Sequence, residues 1–488
     1  MTTPERSQYH HFIPRLILRG FAEDVQLPAG PAAMSKQQLK KKQRRDALLN
    51  LVNTDDGSVI QRPLSRQYGL TDMYRDQRAE QQHGLEVKLS RLEAQVGEIL
   101  ARARSTFSQA GDLRLTLSRS EKDALRKFLF LMKYRSSHMY SRFNVETIEE
   151  YAADDKDKMS AYMNEKGYSS PRDVWLANLH AFLDVDIDTA NKWQRTLQQV
   201  AFGDDAKLFI LHVAQSFVAF CKPKSSHDEF MLTENAFGIF EGPSNQAINV
   251  LTGERERGTW TEWHNFAPIS ASLLIVLRSN YLPGGVADAS EELRDRMYRA
   301  MLNMNLDPKT ATSMLQDLPV TKCENSYSTV RNGRVTSGAG FTDYGPTDQF
   351  TFRCFELDHN HVNVINGLFL EEGVGTSAFT YKNGAAAAKA IKQYLEDPWP
   401  GMKVVESDDS PRARYLTALK NGLKQLGGTA RVVFKRLMLP TMTTLPLDYG
   451  NHMARWVGLS VATEIFYESP RLLGYYEALA GGTMRGNR

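Results

Sequence analysis

The sequence predicts an α+β fold that is predominantly helical: a helical core carrying a small, mostly antiparallel sheet, then a helical C-terminal extension. Three observations predict it. Apolar residues recur at helical spacing over 84–104 and 121–138. Strand-like segments are short and scattered, at Ser58–Ile60, Glu229–Phe240, Leu273–Leu277 and Phe350–Leu357. From Ala385 on the pattern is almost entirely helical, with a break at Ser407–Pro411. The expected division is a core domain over residues 1–384, with insertions at about 25–52 and 325–349, and an extension over 385–488.

The first element is His10-His11-Phe12-Ile13-Pro14-Arg15, continuing to Leu18-Arg19-Gly20-Phe21. Pro14 suits the first turn of a helix, where its missing N–H has no partner to lose. It holds Ile13 extended, so the two histidines belong to a non-helical lead-in. Arg15 and Arg19 are four apart and share a helix face. Side chains lean back along a helix, so both guanidinium groups are expected to point towards the histidines. Gly20 reads as the helix stop. A cationic corner beside free helix N–H groups suits an anion. The alternative is structural: arginines buried against Glu or Asp from elsewhere in the fold.

Residues 27–38 read as a loop and run into the basic stretch Lys36 to Arg45. Such a run is more often a solvated, mobile insertion than a nuclear-localisation or nucleic-acid patch. Gly69 to Tyr74 forms a compact loop. In 84–104, Leu85, Leu89, Leu92, Val96 and Ile99 make one apolar stripe, with Glu86 and Glu93 seven apart beside it. Ser118-Arg119-Ser120-Glu121 is a capping box. It opens a helix that runs through the apolar stretch Phe128 to Met132 to Arg135 and Ser136. Further helices are expected over 174–183, 190–200 and 207–221. The stretch Trp263 to Ser270 leads into the strand at 273. Helical patterns cover Glu291–Met304 and Thr310–Gln316. Asn325–Gln349 reads as a long mobile loop. Asp358 precedes a helix start, with His359 and His361 two apart. On a strand these histidines would share a face and could ligate a metal; capping by Asp358 is the favoured reading.

Composition narrows the class. A 488-residue chain can bury a large core. A net charge of +3 does not by itself argue for nucleic acid. Cys221, Cys323 and Cys354 are odd in number and irregularly spaced, which argues for reduced thiols and an intracellular, cytoplasmic home; the basic run leaves the nucleus open. Apolar runs such as Ser272–Leu277 fall well short of the roughly 20 residues that span a bilayer, so no membrane is expected.

Taken in order, these motifs resemble the family called domain of unknown function 4238. That family opens with one or two histidines, a hydrophobic pair, Pro, Arg or Gln and a Leu-Arg-Phe ending, to which His10 through Phe21 is similar. Its tyrosine-ended loop resembles Gly69–Tyr74, and its two-glutamate helix resembles Glu86 and Glu93. Its core helix ending resembles Arg135-Ser136. Its Thr-Ser-Asp-Asn-Pro edge resembles Leu232 to Ala236, with Glu234 in place of aspartate and Ala236 in place of proline. Its Pro-Leu-Ser strand entry resembles Pro268 to Ser270, and its late asparagine helix resembles Asn366. Met132 stands where the family often has glutamine. The resemblance covers roughly residues 8–382 and implies no established activity.

The candidate site is therefore His10, His11 and Glu234 as catalytic groups, with Arg15, Arg19, Arg135, Glu86, Glu93, Asn235 and Asn366 as an anion-binding or structural cluster. Histidine with carboxylate can hold a divalent metal while arginines hold a phosphate, or a histidine can act as a base unaided. This points to a hydrolase on phosphate-bearing substrates, small molecule or nucleic acid, nuclease-like in the second case. The alternative is a non-catalytic interaction protein whose Arg–Glu cluster is scaffold, meeting a protein partner through its C-terminal helices.

Overall fold

The computed structural model describes residues 7–23 and 46–436, apart from 80, 110, 154, 243, 249–254, 261, 281, 283–312, 332–333, 339–340, 342, 399–402 and 406. The basic run, the expected helix at 291–304, the start of that expected at 310–316 and the helices expected beyond 436 lie outside the described residues.

The fold is mixed α/β. Its centre is a seven-stranded sheet in the order Glu324–Asn325, Gln349–Leu357, Ser216–Pro223, Leu273–Ser279, His264–Ser270, Phe240–Glu241, with Arg114–Ser118 also paired to 349–357. Most neighbours are antiparallel. The exception is 349–357, whose second half runs parallel to 216–223 with Cys354 opposite Phe220, while its first half runs antiparallel to 114–118.

Residue alternation shows why this sheet is central. On 273–279, Leu273, Ile275 and Leu277 enter one apolar cluster, and Leu274 and Val276 enter another. On 216–223, Val218 and Phe220 face the first, Phe217, Ala219 and Cys221 the second. The first layer is built with helices Gly84–Phe107, Arg119–Tyr134 and Pro171–Asp184. The second is built with His359–Glu371, Gly384–Glu396 and Pro411–Gln425. Helices thus cover both faces of the sheet.

The expectation of a predominantly helical protein with a small sheet is overturned. Strands buried on both faces lose the alternation that marks a half-exposed strand and read as continuous apolar runs. The segment 207–221 shows the cost: its helix ends at Ala214, and Ser216–Pro223 is a central strand. His264–Ser270 is likewise a strand in its own right, fully buried. The loop expected at 325–349 contains an antiparallel hairpin, Ser328–Arg331 against Arg334–Ser337. Other elements form as expected: the helix at 84–107, the Ser118 capping box, and the helix capped by Asp358, whose side chain accepts from the His361 N–H at 3.0 Å.

A second sheet of four antiparallel strands, in the order Val59–Pro63, Leu48–Asn53, Ala378–Tyr381, Leu232–Thr233, ties early, middle and late chain together. The 411–425 helix lies directly on it. Gly57 has φ +77°, and a Cβ there would come 2.0 Å from the Ala418 carbonyl oxygen. Gly57→Ala combines a left-handed backbone with that overlap. It should lower unfolding free energy by at least about 2 kcal/mol in chemical denaturation.

Candidate functional site

The opening stretch is held by a short antiparallel pair. Tyr9–His11 runs beside Gly69–Thr71, with His10 opposite Leu70. Gly69 is required by proximity, since a Cβ would lie 2.5 Å from the His10 carbonyl oxygen. The strand then turns at Phe12 and Ile13, whose N–H groups both donate to the Tyr68 carbonyl. Pro14 caps a helix of one turn, Arg15–Leu18.

Strand alternation sends the two histidines to opposite sides. His10 is buried. Its Nδ1 accepts from the Tyr74 backbone N–H at 3.0 Å, so in the neutral ring the proton is on Nε2. The ring stacks on Tyr74, whose own ring stacks on Trp175, and meets His83 edge-on. Burial, with His83 adding to it, pushes His10 down to about 4. This geometry makes His10 an anchor for the 72–74 turn. His11 takes the other side, edge-on to Tyr9, with its Nε2 buried and without a hydrogen-bond partner. Burial holds His11 below its ordinary value; Arg15 adds to that, while the Leu64 carbonyl and the Glu93 and Asp46 carboxylates oppose it.

Arg135 closes the helix that Ser118 opens. Its guanidinium is sealed in and donates to Glu93 at 2.7 Å and to the Met132 sulfur at 3.2 Å. Glu86 stands one helical repeat from Glu93 on the 84–107 helix. Burial raises its pKa, the Glu93 charge raises it further, and Arg135 works against both. Tyr74 joins the group, its pKa raised by burial and moderated by Arg135.

The structure therefore brings His11, Glu86, Glu93 and Arg135 into one region, with His10 behind it across Tyr74 and Arg15 at its edge. Arg15 is half exposed and pairs with Asp46 at 3.5 Å. Arg19 is the capping residue at the end of the short helix and is exposed. Glu234 approaches the corner from the second sheet, near enough for its charge to act on Tyr9 and Tyr68. It accepts from the Ser377 hydroxyl, and its pKa is raised by burial, opposed by Ser377, with a smaller push from Asp55. Asn235 joins Thr233 to the Glu372 carbonyl. Asn366 accepts from the Met231 N–H and donates to the Glu229 carbonyl, fastening the 359–371 helix to that segment. Ser136 caps the next helix, Ser137–Phe143. His359 bonds Asp228 at 2.9 Å. Among the described residues no three His, Cys, Asp or Glu side chains are grouped to hold a metal ion, and no helix is long and apolar enough to cross a membrane. The three cysteines are free thiols.

Tyr74, His83 and Trp175 were not singled out by sequence. Only Tyr74, at the end of the loop with the tyrosine, carried a signal.

Residues 9–374 match the model of the family described as protein of unknown function (DUF4238). The chain belongs to this family. No curated protein and no solved structure matches it. The family span begins on the strand that carries the histidines and ends between the 359–371 helix and the strand at 378, so every residue of the opening corner falls inside it.

The neutral state of His10 has a pH signature. Its folded pKa lies below the ordinary 6.5, so the unfolded chain binds more protons between pH 6.5 and about 4. The stability it contributes is complete above 6.5 and is lost as pH falls towards 4. His10→Asn, which keeps an acceptor near the Nδ1 position, should flatten the fall of unfolding free energy over that window, by at most about 1.4 kcal/mol per pH unit.

Proposed function

We propose that the chain is a hydrolase of phosphate-bearing substrates, phosphodiesters of the nuclease type included, working at the mouth of the opening corner. The observation that carries this reading is His11: a neutral imidazole with an unpartnered Nε2, between the charge of Arg15 and that of Glu93. Arg15, half exposed and loosely paired, would take the phosphate. His11 would accept a proton from the attacking water as the P–O bond forms. Glu86, kept protonated to higher pH by burial and by Glu93, would give its proton to the leaving oxygen as the other P–O bond breaks. Arg135 would position Glu93. Glu234 has no step in this scheme; its charge acts on Tyr9, the ring against His11. A divalent metal is not needed by it.

The burial of Arg135 favours a second reading, in which the cluster is scaffold and the protein acts through a partner. The intracellular placement rests on the three thiols. The boundary at 384 is proposed as a limit of the family core; helices 384–396 and 411–425 pack into the same apolar layer as 359–371.

Bis(p-nitrophenyl) phosphate and p-nitrophenyl phosphate test the first reading. His11→Gln should lower kcat about 100-fold or more with little change in melting temperature. Arg15→Gln should mainly raise KM. Because the His11 pKa is lowered, its base form persists below pH 6.5, and the acidic limb of kcat/KM should lie under that value. Absence of turnover in the wild-type protein, or full activity in the His11 variant, sinks the proposal.

The scaffold reading makes its own demand. Arg135→Ala should cost about 3 kcal/mol or more in unfolding free energy, because Glu93 loses its partner. A loss of stability there with His11→Gln fully active would favour scaffold over enzyme.

A further inference from the structure

A different face of the 119–134 helix borders a cavity of about 430 Å³, lined among others by Lys122, Asp123, Arg126, Trp193 and Asn280. It adjoins a second cavity of about 630 Å³ that shares Arg119 and Asp123 as wall. The smaller one holds several unpaired polar groups and an uneven charge. Lys122 has no hydrogen-bond acceptor among the described residues: its ammonium lies over the Phe350 ring, 3.7 Å from the centroid, and 3.8 Å from an Asp123 oxygen. The Trp193 indole N–H is buried without an acceptor, in a side chain only 3% exposed. The Arg126 Nε–H is also buried without one, although the rest of that guanidinium donates to the Val213 and Ser216 carbonyls. Against these three donors the same lining offers the Asn280 side-chain oxygen and the Asp123 carboxylate, whose one ion pair among the described residues is with Lys122.

Buried polar groups are as a rule paired, and unpaired ones carry a free-energy cost. The lining carries Arg119, Lys122, Arg126 and Lys322 against Asp123 and Asp188, and this positive balance calls for a ligand that brings acceptors and negative charge. Of the other charges in the lining, Lys322 lies over the Phe217 ring, 5.8 Å from the centroid, and Asp123 stands beside Lys122. Arg119 donates to Asp348 at 2.7 Å and is held over Tyr327 and Tyr344. Asp188 accepts from the Lys192 and Trp193 backbone N–H groups. Burial pushes Lys122 down to about 8, with Asp123 pulling the other way, and it raises Asp123 itself. A bound anion would reverse the first of these, since a nearby negative charge favours the ammonium form.

We propose that this cavity is a binding site for a small oxyanion, a phosphate- or carboxylate-bearing molecule, gripped by the Lys122 ammonium and the Trp193 indole N–H, with Asn280 free to accept from a ligand hydroxyl. It is separate from the opening corner. Lys122 sits in the first turn of the helix and Arg135 just past its end, so 13 residues at 1.5 Å each put their backbones roughly 20 Å apart. Either site can fail without the other.

The test uses the full chain and three probes: inorganic phosphate, ribose 5-phosphate and citrate, each titrated by calorimetry and by thermal shift. At least one should bind saturably and raise the melting temperature; phosphate or ribose 5-phosphate identifies a phosphate site, citrate alone a carboxylate site. Lys122→Met should weaken that binding about tenfold or more. Trp193→Phe, which keeps a ring and removes the N–H, should weaken it by a smaller factor. The bound probe should also protect Lys122 from acetylation by an amine-reactive ester, read by mass spectrometry in the wild-type chain. This keeps the proposal testable if Lys122→Met fails to fold. No saturable binding of any probe, unchanged affinity in Lys122→Met, or Lys122 labelling indifferent to the bound probe overturns it.

Discussion

The structure depends on a sheet buried on both faces. Strands 216–223 and 273–279 send alternate residues into two apolar layers, so neither layer can form without them. At roughly 25 cal/mol per Å² of apolar surface, a strand whose every side chain leaves water is the strongest single claim on the chain's geometry. The edges of the sheet follow from that centre. Strand 349–357 must run parallel to 216–223 in one half and antiparallel to 114–118 in the other, and 114–118 leads without a break into the helix capped by Ser118. That helix is therefore fixed to the sheet at its N-terminal end. It carries Lys122 beside the oxyanion cavity at that end and delivers Arg135 to the histidine corner at the other.

Arg135 is the price of a specific corner. A guanidinium sealed from water is costly unless its donors are met, and the ion pair with Glu93 adds little stability compared with an apolar pair of the same size. What it does impose is registry. Glu93 can meet Arg135 only if the 84–107 and 119–134 helices pack at one relative height, which also sets Glu86 and the wall behind His10. Met132 offers a polarizable sulfur to the same guanidinium, a weaker acceptor than the amide oxygen of the glutamine that the family resemblance leads one to expect there. Arg135 therefore depends on Glu93 and Tyr74, with Glu86 adding its charge.

The sequence made the helices and the corner legible and left the centre of the fold obscure. The stripe at 84–107, the Ser118 cap and the Asp358 cap each rest on local spacing, and each could be read one residue at a time. The buried strands could not be read so. Phe217 to Cys221 is apolar throughout, and periodicity alone cannot separate that run from the end of a helix. The convergence of His11, Glu86, Glu93 and Arg135 was suggested by a shared family order, and local spacing supplied only the Glu86–Glu93 part. Glu234 belongs to the same ordered motifs: strand pairing with 378–381 sets it against Ser377, where its charge also acts on Tyr9 and Tyr68. The oxyanion cavity carried no sequence signal, because its donors come from residues 122, 126 and 193 on elements that meet only through tertiary packing.

The two polar regions ask for different ligands, and this bears on the hydrolase reading. The cavity at Lys122 has four cationic side chains against two carboxylates in its lining, a balance that suits an anion. The opening corner has two carboxylates, Glu86 and Glu93, against one buried guanidinium already in use. A phosphate driven deep into it would meet like charge in a poorly solvated setting, where repulsion is screened least. An anionic substrate is therefore confined to the mouth, against Arg15 and His11. Catalysis there requires that Glu86 hold its proton while the substrate binds. The upward push on Glu86 from burial and from Glu93 is thus a condition of the mechanism: with both glutamates ionised, the corner repels the substrate that the reading assigns to it.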